Sequence, residues 1–213
     1  MLPSSKYPKK LTVGIDEVGC GCLAGPVVAA GVIWPSYLHD DYSLQINDSK
    51  KLSKKKRYLL RDYITDNAID WYISFIDNNI IDDINIYNAR IKAYHNILDN
   101  LNVVPEQILI DGTLFKEYTN RFSEIIPYEC IISGDNKYQN IAAASILAKC
   151  ARDSYMKKLC KKYPNYGWHT NMGYSTKQHI KSIKKHGISP YHRKTFGICK
   201  SFYSDCLLSS DSE

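Results

Sequence analysis

Apolar positions fall in runs of two kinds along the chain, one alternating and one recurring every three to four residues. Leu11, Val13 and Ile15 form a short apolar run, and Val27 to Trp34 form a second; glycines and a proline stand between them (Gly19, Gly21, Gly25, Pro26). This pattern predicts strand, turn, strand. Residues 35–47 read as a polar loop. Leu59, Leu60, Tyr63 and Ile64 mark a helix over about 54–66, with Ser53 as its N-cap. Asp70 to Asp77, aromatic and β-branched, predicts a third strand. Ile84, Tyr87, Ile91, Tyr94 and Leu98 give a core-facing stripe to a helix over 80–101. Pro105 resets the chain. Gln107–Gly112 and Tyr128–Ser133 read as two more strands, Tyr138 to about Lys162 as a long helix, and Thr176–His186 as a further helix with Gly187 past its end.

Besides the third strand, which closes on Asp77, three of the predicted strands lead into acid. Asp16 and Glu17 close the first, Asp111 the fourth, and Asp135 follows the fifth. Strand residues alternate between faces, so Asp16 and Glu17 cannot both enter a core, although both can reach one mouth at a strand end. Carboxylates at strand ends collect at one edge of a sheet, where α/β proteins place ligand sites. Singly, each has a plain structural role open to it: a solvated hairpin pair, a turn-former at Asp111, a helix cap at Asp135. Together they suit divalent cations, which take carboxylate oxygens. Two such ions can clamp both the attacking and the leaving oxygen of a phosphodiester.

Composition narrows the field. The 213 residues fit one domain plus a modest appendage, and 44% hydrophobic residues suffice for a packed core. No apolar window is long enough to span a membrane, and Met1 to Lys10 has no signal-peptide core. Seven cysteines without metal-type spacing indicate a reducing, cytoplasmic setting. Net charge is +6, and its distribution says more. Ser154 to Ser204 contains no Asp or Glu and eleven Lys or Arg, which suits a phosphate backbone, though a solvated basic face has the same composition. Lys54, Lys55, Lys56 and Arg57 oppose the dipole of the helix they open, and phosphate is one partner that offsets this.

The stretch Asp16-Glu17-Val18-Gly19-x-Gly21-x-Leu23-Ala24-Gly25-Pro26-Val27-Val28 resembles the signature of the ribonuclease HII family, the type 2 ribonucleases H. Asp48-Ser49-Lys50-Lys51-Leu52-Ser53 is similar to another segment of that family. So are Asp111-Gly112, Asp135 before Ile141-Ala142-Ala143-Ala144-Ser145-Ile146-Leu147-Ala148-Lys149, Gly173-Tyr174-x-Thr176-x-x-His179, and His192-Arg193-x-x-Phe196. The likeness spans residues 11–197 in order. It implies an α/β, ribonuclease H-like fold: a mixed five-stranded sheet flanked by helices, with a small C-terminal helical portion. On that reading residues 1–10 are a loose leader, 11–162 the catalytic core, 163–203 a substrate-binding segment and 204–213 a disordered tail.

The resemblance implies an endonuclease that cuts the RNA strand of RNA–DNA hybrids, and cuts beside ribonucleotides embedded in duplex DNA, leaving 5′-phosphate and 3′-hydroxyl ends. Asp16, Glu17, Asp111 and Asp135 would be its catalytic and metal-binding acids, holding two ions of Mg²⁺ or Mn²⁺. Gly19, Cys20, Gly21 and Tyr174 would read the RNA–DNA junction, with Tyr174 stacked on a deoxyribose; Lys50, Ser145, Lys149 and Arg193 would also meet the substrate. A monomer is implied. One departure stands out. The family's Gly-Arg-Gly loop is Gly19-Cys20-Gly21 here, so a phosphate-binding fork is missing while both glycines remain. A redox role for Cys20 has no partner in the sequence to lower its thiol pKa. The alternatives are a hybrid-binding protein that has lost catalysis, and another nuclease of the same superfold.

Overall fold

The computed structural model describes residues 2–38 and 40–210, with side chains through Tyr203. The strands are β1 (Thr12–Val18), β2 (Val27–Ile33), β3 (Asp70–Ile76), β4 (Gln107–Asp111) and β5 (Tyr128–Ile131). The helices are α1 (Lys54–Asn67), α2 (Asn78–Asn100), α3 (Gln139–Lys162), α4 (Trp168–Asn171), α5 (Lys177–His186) and α6 (Gly197–Ser210). The strands form one sheet in the order β3-β2-β1-β4-β5. β1 runs antiparallel to β2 and parallel to β4, and β4 runs parallel to β5. Among the described residues no helix is long and apolar enough to cross a membrane.

The chain gathers into two compact units, each assembled from separate segments. The first comprises Met1–Val18, Val28–Phe75 and Arg90–Ala151; the second comprises Gly19–Val27, Ile76–Ala89 and Arg152–Glu213. In the first, Val32, Trp34, Ile46, Leu60 and Ile64 pack with the buried small residues of α3, among them Ala143, Ala144 and Ala148. Gly14 makes a close approach possible: a Cβ there would lie 2.5 Å from backbone atoms of Asn140 and Ile141. The second unit has its own core of Leu23, Ala24, Met156, Leu159, Trp168, Ile183 and Cys199.

Local chemistry explains most element ends. Ser53 caps α1 by accepting from the Lys56 N–H, and Thr176 caps α5 by accepting from that of His179. Arg57, one of the cations at the start of α1, donates to the carbonyls of Ser49 (3.0 Å) and Leu52 (2.6 Å) and so holds the loop that carries Lys50. α2 is not the unbroken helix that the apolar stripe predicts. Asn85 breaks it at φ 65°, and the Asn85 side chain accepts from the Asn88 N–H, capping the second half.

Two ends of the chain differ from expectation. The leader is not loose. The first N–H groups of α3 lack partners within the helix, and the carbonyls of Pro3 and Ser4 accept from Gln139 and Asn140. Lys6 and Tyr7 both bond to Glu129. At the other end, helical backbone extends through Ser210 where a disordered tail from Ser204 was expected. Cys206, Leu207 and Leu208 precede the polar end there, and leucine is a strong helix former. Residues 211–213 lie outside the described residues.

Candidate active site

The acids of the first unit are brought together by register. Thr12 to Ile15 pair in parallel with Gln107 to Ile110, so Asp16 and Asp111 occupy the next position on adjacent strands. Asp135 sits in a tight turn, Gly134–Asn136, after β5. Asp111 anchors that turn by accepting from the Gly134 N–H at 2.7 Å. Asp16, Asp111 and Asp135 each offer a carboxylate oxygen, and these three atoms lie within 4.8 Å of one another.

Burial and mutual repulsion act on this group. Asp16 is 6% exposed. Burial raises its carboxyl well above the ordinary value of 3.8, with the Glu17 and Asp111 charges adding to the effect and a Ser145 hydrogen bond opposing it. Burial also raises Asp135, helped by Asp111 and Asp48 and opposed by Lys50. The Lys50 ammonium lies 3.9 Å from Asp135 on a largely exposed side chain. Burial lowers Lys50, but the charges of Asp135, Asp48, Asp16 and Asp111 outweigh it and raise its pKa. An all-oxygen donor set, crowded and short of positive charge, fits a hard divalent cation.

Glu17 stands apart from the three. Its oxygens accept from the Tyr94 hydroxyl at 2.5 Å and pair with Arg90 at 2.8 Å. Strand alternation accounts for the separation, since Glu17 faces opposite to Asp16 on β1. Arg90 and Tyr94 were not foreseen as site residues; their spacing of four on α2 was the available signal. Ser145 is buried, with its hydroxyl 2.9 Å from that of Ser49, and Lys149 is half-buried on the same helix.

The second unit holds the glycine loop and Tyr174. Gly19 adopts φ 97°, and a Cβ on it would collide with the Arg152 guanidinium. Leu23 donates to the Gly173 carbonyl at 2.8 Å, which ties this loop to the turn before Tyr174. Tyr174 is 39% exposed, lies 5.8 Å from the Arg152 guanidinium measured to its ring centroid, and has its hydroxyl pushed up to about 12 by burial and the Cys22 thiol. Arg193 corrects the expectation of a substrate contact. It is fully buried and donates to the carbonyls of Gly19 (2.7 Å), Cys20 (2.7 Å) and Gly25 (3.0 and 3.1 Å). Its neighbour His192 is buried as well, and the Arg193 fork has turned to the loop's backbone.

A buried imidazole pair fixes the Tyr174 turn. Trp168 Nε1 donates to His179 Nε2 at 3.0 Å, leaving His179 Nδ1 to donate to the Tyr174 carbonyl at 2.9 Å. His192 Nε2 lies 3.1 Å from His179 Nε2, and His192 Nδ1 accepts from the Ser189 N–H at 2.8 Å. Burial lowers both imidazoles, that of His192 to about 3, so the pair is neutral at physiological pH.

Comparison with known proteins identifies relatives of the whole chain. The family profile described as Ribonuclease HII matches residues 13–199. The chain is 47% identical over 189 residues to a ribonuclease HII from Cytophaga hutchinsonii, covering 88% of this chain and 89% of that protein. It is 48% identical over 193 residues to one from Christiangramia forsetii, covering 90% and 93% respectively. The crystal structure of the ribonuclease H2 from Pyrococcus horikoshii OT3 superposes with a TM-score of 0.76 at 23% identity, over 91% of this chain and 97% of that one, which shows a common ribonuclease H-like fold. Matched along nearly its whole length by the profile and by relatives of close to half its residues, the chain belongs to the ribonuclease HII family.

Proposed function

We propose that this protein hydrolyses the RNA strand of RNA–DNA hybrids and also cuts beside ribonucleotides embedded in duplex DNA, leaving 5′-phosphate and 3′-hydroxyl ends. The observation that carries the reading is the cluster of Asp16, Asp111 and Asp135 oxygens within 4.8 Å. Asp16, Asp111 and Asp135 hold divalent cation, and Glu17 is the fourth acid of the centre. Two ions, of Mg²⁺ or Mn²⁺, would supply an activated water and charge neutralisation at the departing 3′-oxygen.

The remaining roles belong to the chain. Tyr94 and Arg90 fix the Glu17 carboxylate in one orientation, so it does not reorganise during reaction. Ser145 holds Asp16 by a hydrogen bond, and Lys50 offsets the charge on Asp135. In the second unit the backbone of Gly19, Cys20 and Gly21 recognises the 2′-hydroxyl, which distinguishes ribose from deoxyribose. Tyr174 offers its exposed ring to a deoxyribose, and Lys149 meets the nucleic-acid backbone. Lys149 belongs to the first unit with the acids, the glycine loop and Tyr174 to the second, and the protein acts as a monomer.

The test is cleavage of two labelled duplexes in Mg²⁺ and in Mn²⁺. One is a continuous RNA–DNA hybrid, and the other carries a single ribonucleotide in DNA. Cutting of both supports the full reading. Cutting of the continuous hybrid alone contradicts the embedded-ribonucleotide activity, and binding without cutting contradicts hydrolysis.

A further inference from the structure

Arg152 and Arg193 lie wholly inside the second unit, each with no exposed surface. Their guanidinium groups meet carbonyls and not carboxylates. Arg193 takes the carbonyls of Gly19, Cys20 and Gly25. Arg152 donates to those of Pro26 (2.9 Å), Ala24 (3.1 Å) and Met172 (2.8 Å). Neither forms a salt bridge among the described residues. The Asp82 carboxylate draws on Arg193 from a distance, but its oxygens accept from the Lys194 and Thr195 N–H groups and the Thr195 hydroxyl. Gly19 to Val27 contains no acid.

Hydrogen bonds to carbonyls satisfy the donors and leave the charge. Two like charges therefore sit beneath one short loop, and burying charge without a counter-ion is costly. Burial and the neighbouring Arg152 depress Arg193, but only to about 10, so it remains cationic at neutral pH. The cost is offset when an anion reaches the loop. A guanidinium can only donate, so both forks pull on the carbonyls of the loop, while the N–H groups of Cys22, Leu23 and Gly25 donate to the carbonyls of Gly19, Gly173 and Tyr191.

We propose that Arg152 and Arg193 are positioning residues for nucleic-acid recognition: they draw the carbonyls of Gly19, Cys20, Ala24, Gly25 and Pro26 inward, turn the N–H groups of the Gly19–Gly21 stretch toward a phosphodiester, and lend it the positive charge that the side chain of Cys20 lacks. The inference rests on the reading of this loop as a substrate contact. It makes the loop an anion site charged from behind, with two fixed forks standing in for one exposed arginine.

The test uses Arg193→Lys and Arg152→Lys, which keep the charge and lose the fork, together with wild-type protein. Steady-state cleavage of the single-ribonucleotide duplex in Mg²⁺ will show KM raised about tenfold or more and kcat at saturation within about threefold of wild type. KM unchanged, or kcat and KM altered only in proportion to the folded fraction seen by thermal melting, overturns the proposal. A second measurement needs no variant. Amide hydrogen exchange of wild type with the duplex in Ca²⁺ will slow about tenfold at Gly19 to Cys22. Duplex binding without that protection overturns this inference and leaves the cleavage reading standing, whereas no binding at all overturns both.

Discussion

Replacing Asp16 with Asn will stabilise the metal-free protein while abolishing cleavage. The carboxylate oxygens of Asp16, Asp111 and Asp135 lie within 4.8 Å of one another. At that separation and an effective permittivity of about 20, each pair of like charges costs about 3 kcal/mol. For Asp16 burial is the larger penalty, and the charges of Glu17 and Asp111 add to it. The folded protein relieves part of this by holding a proton that the unfolded chain would release. Its contribution to stability is therefore full below the ordinary value of 3.8 and is lost as pH rises through the raised folded value. Asn removes the charge and keeps an oxygen for the Glu17 N–H, which Asp16 now accepts at 2.7 Å. The net gain at pH 8 in EDTA is about 1–3 kcal/mol, or about 3–10 °C in Tm for a chain of this size, falling to near zero at pH 4. Scanning calorimetry of both proteins at the two pH values measures it. Mg²⁺ will raise the Tm of wild type at pH 8 and will leave Asp16→Asn unmoved. A variant less stable than wild type by the same amount at both pH values would refute the electrostatic argument.

Other perturbations follow the same reasoning. Tyr94→Phe removes the hydroxyl that holds Glu17 at 2.5 Å; kcat on a continuous hybrid will fall about tenfold with KM unchanged, and steady-state kinetics checks this. His192 is held neutral with its pKa lowered to about 3, so its share of stability is present above 6.5 and lost as pH falls from there toward 3. Urea denaturation at pH 7 and pH 5 will show wild type losing about 2 kcal/mol more than His192→Gln between them. Cys20→Arg adds a fork directed at phosphate, and competition cleavage will show severalfold higher selectivity for the single-ribonucleotide duplex over the continuous hybrid.

Much of the catalytic face was legible because it depends on chain-local chemistry. Apolar runs ending in Asp16 and Asp111 identify strand ends, and Ile141, Ala144, Ala148 and Ala151, at helical spacing, identify a small-residue face suited to close packing. That β1 and β4 are parallel neighbours is a long-range fact, and no periodicity encodes it; only the resemblance implied that these acids meet. Strand alternation turns Glu17 toward Arg90 and Tyr94, and these two partners on α2 were not legible from the acid's own stretch of sequence. Arg193 shows a limit of another kind. A lone arginine in a basic stretch looks like a phosphate contact, and only the fold reveals that backbone carbonyls surround it. The leader misled for a similar reason, since the N–H groups that pin it belong to α3, far along the chain. The break at Asn85 left no trace in the apolar stripe, which continues on both sides of it.

The central claim is that the Asp16, Asp111 and Asp135 cluster is the metal centre that cuts RNA paired with DNA. The most direct test is cleavage of a continuous hybrid labelled on its RNA strand, by wild type and by Asp111→Asn, with Mg²⁺ and with EDTA, and with the new ends identified. The account predicts cutting by wild type in Mg²⁺ alone, with 5′-phosphate and 3′-hydroxyl products, and no cutting by the variant. Cleavage that persists in EDTA or in Asp111→Asn would contradict it.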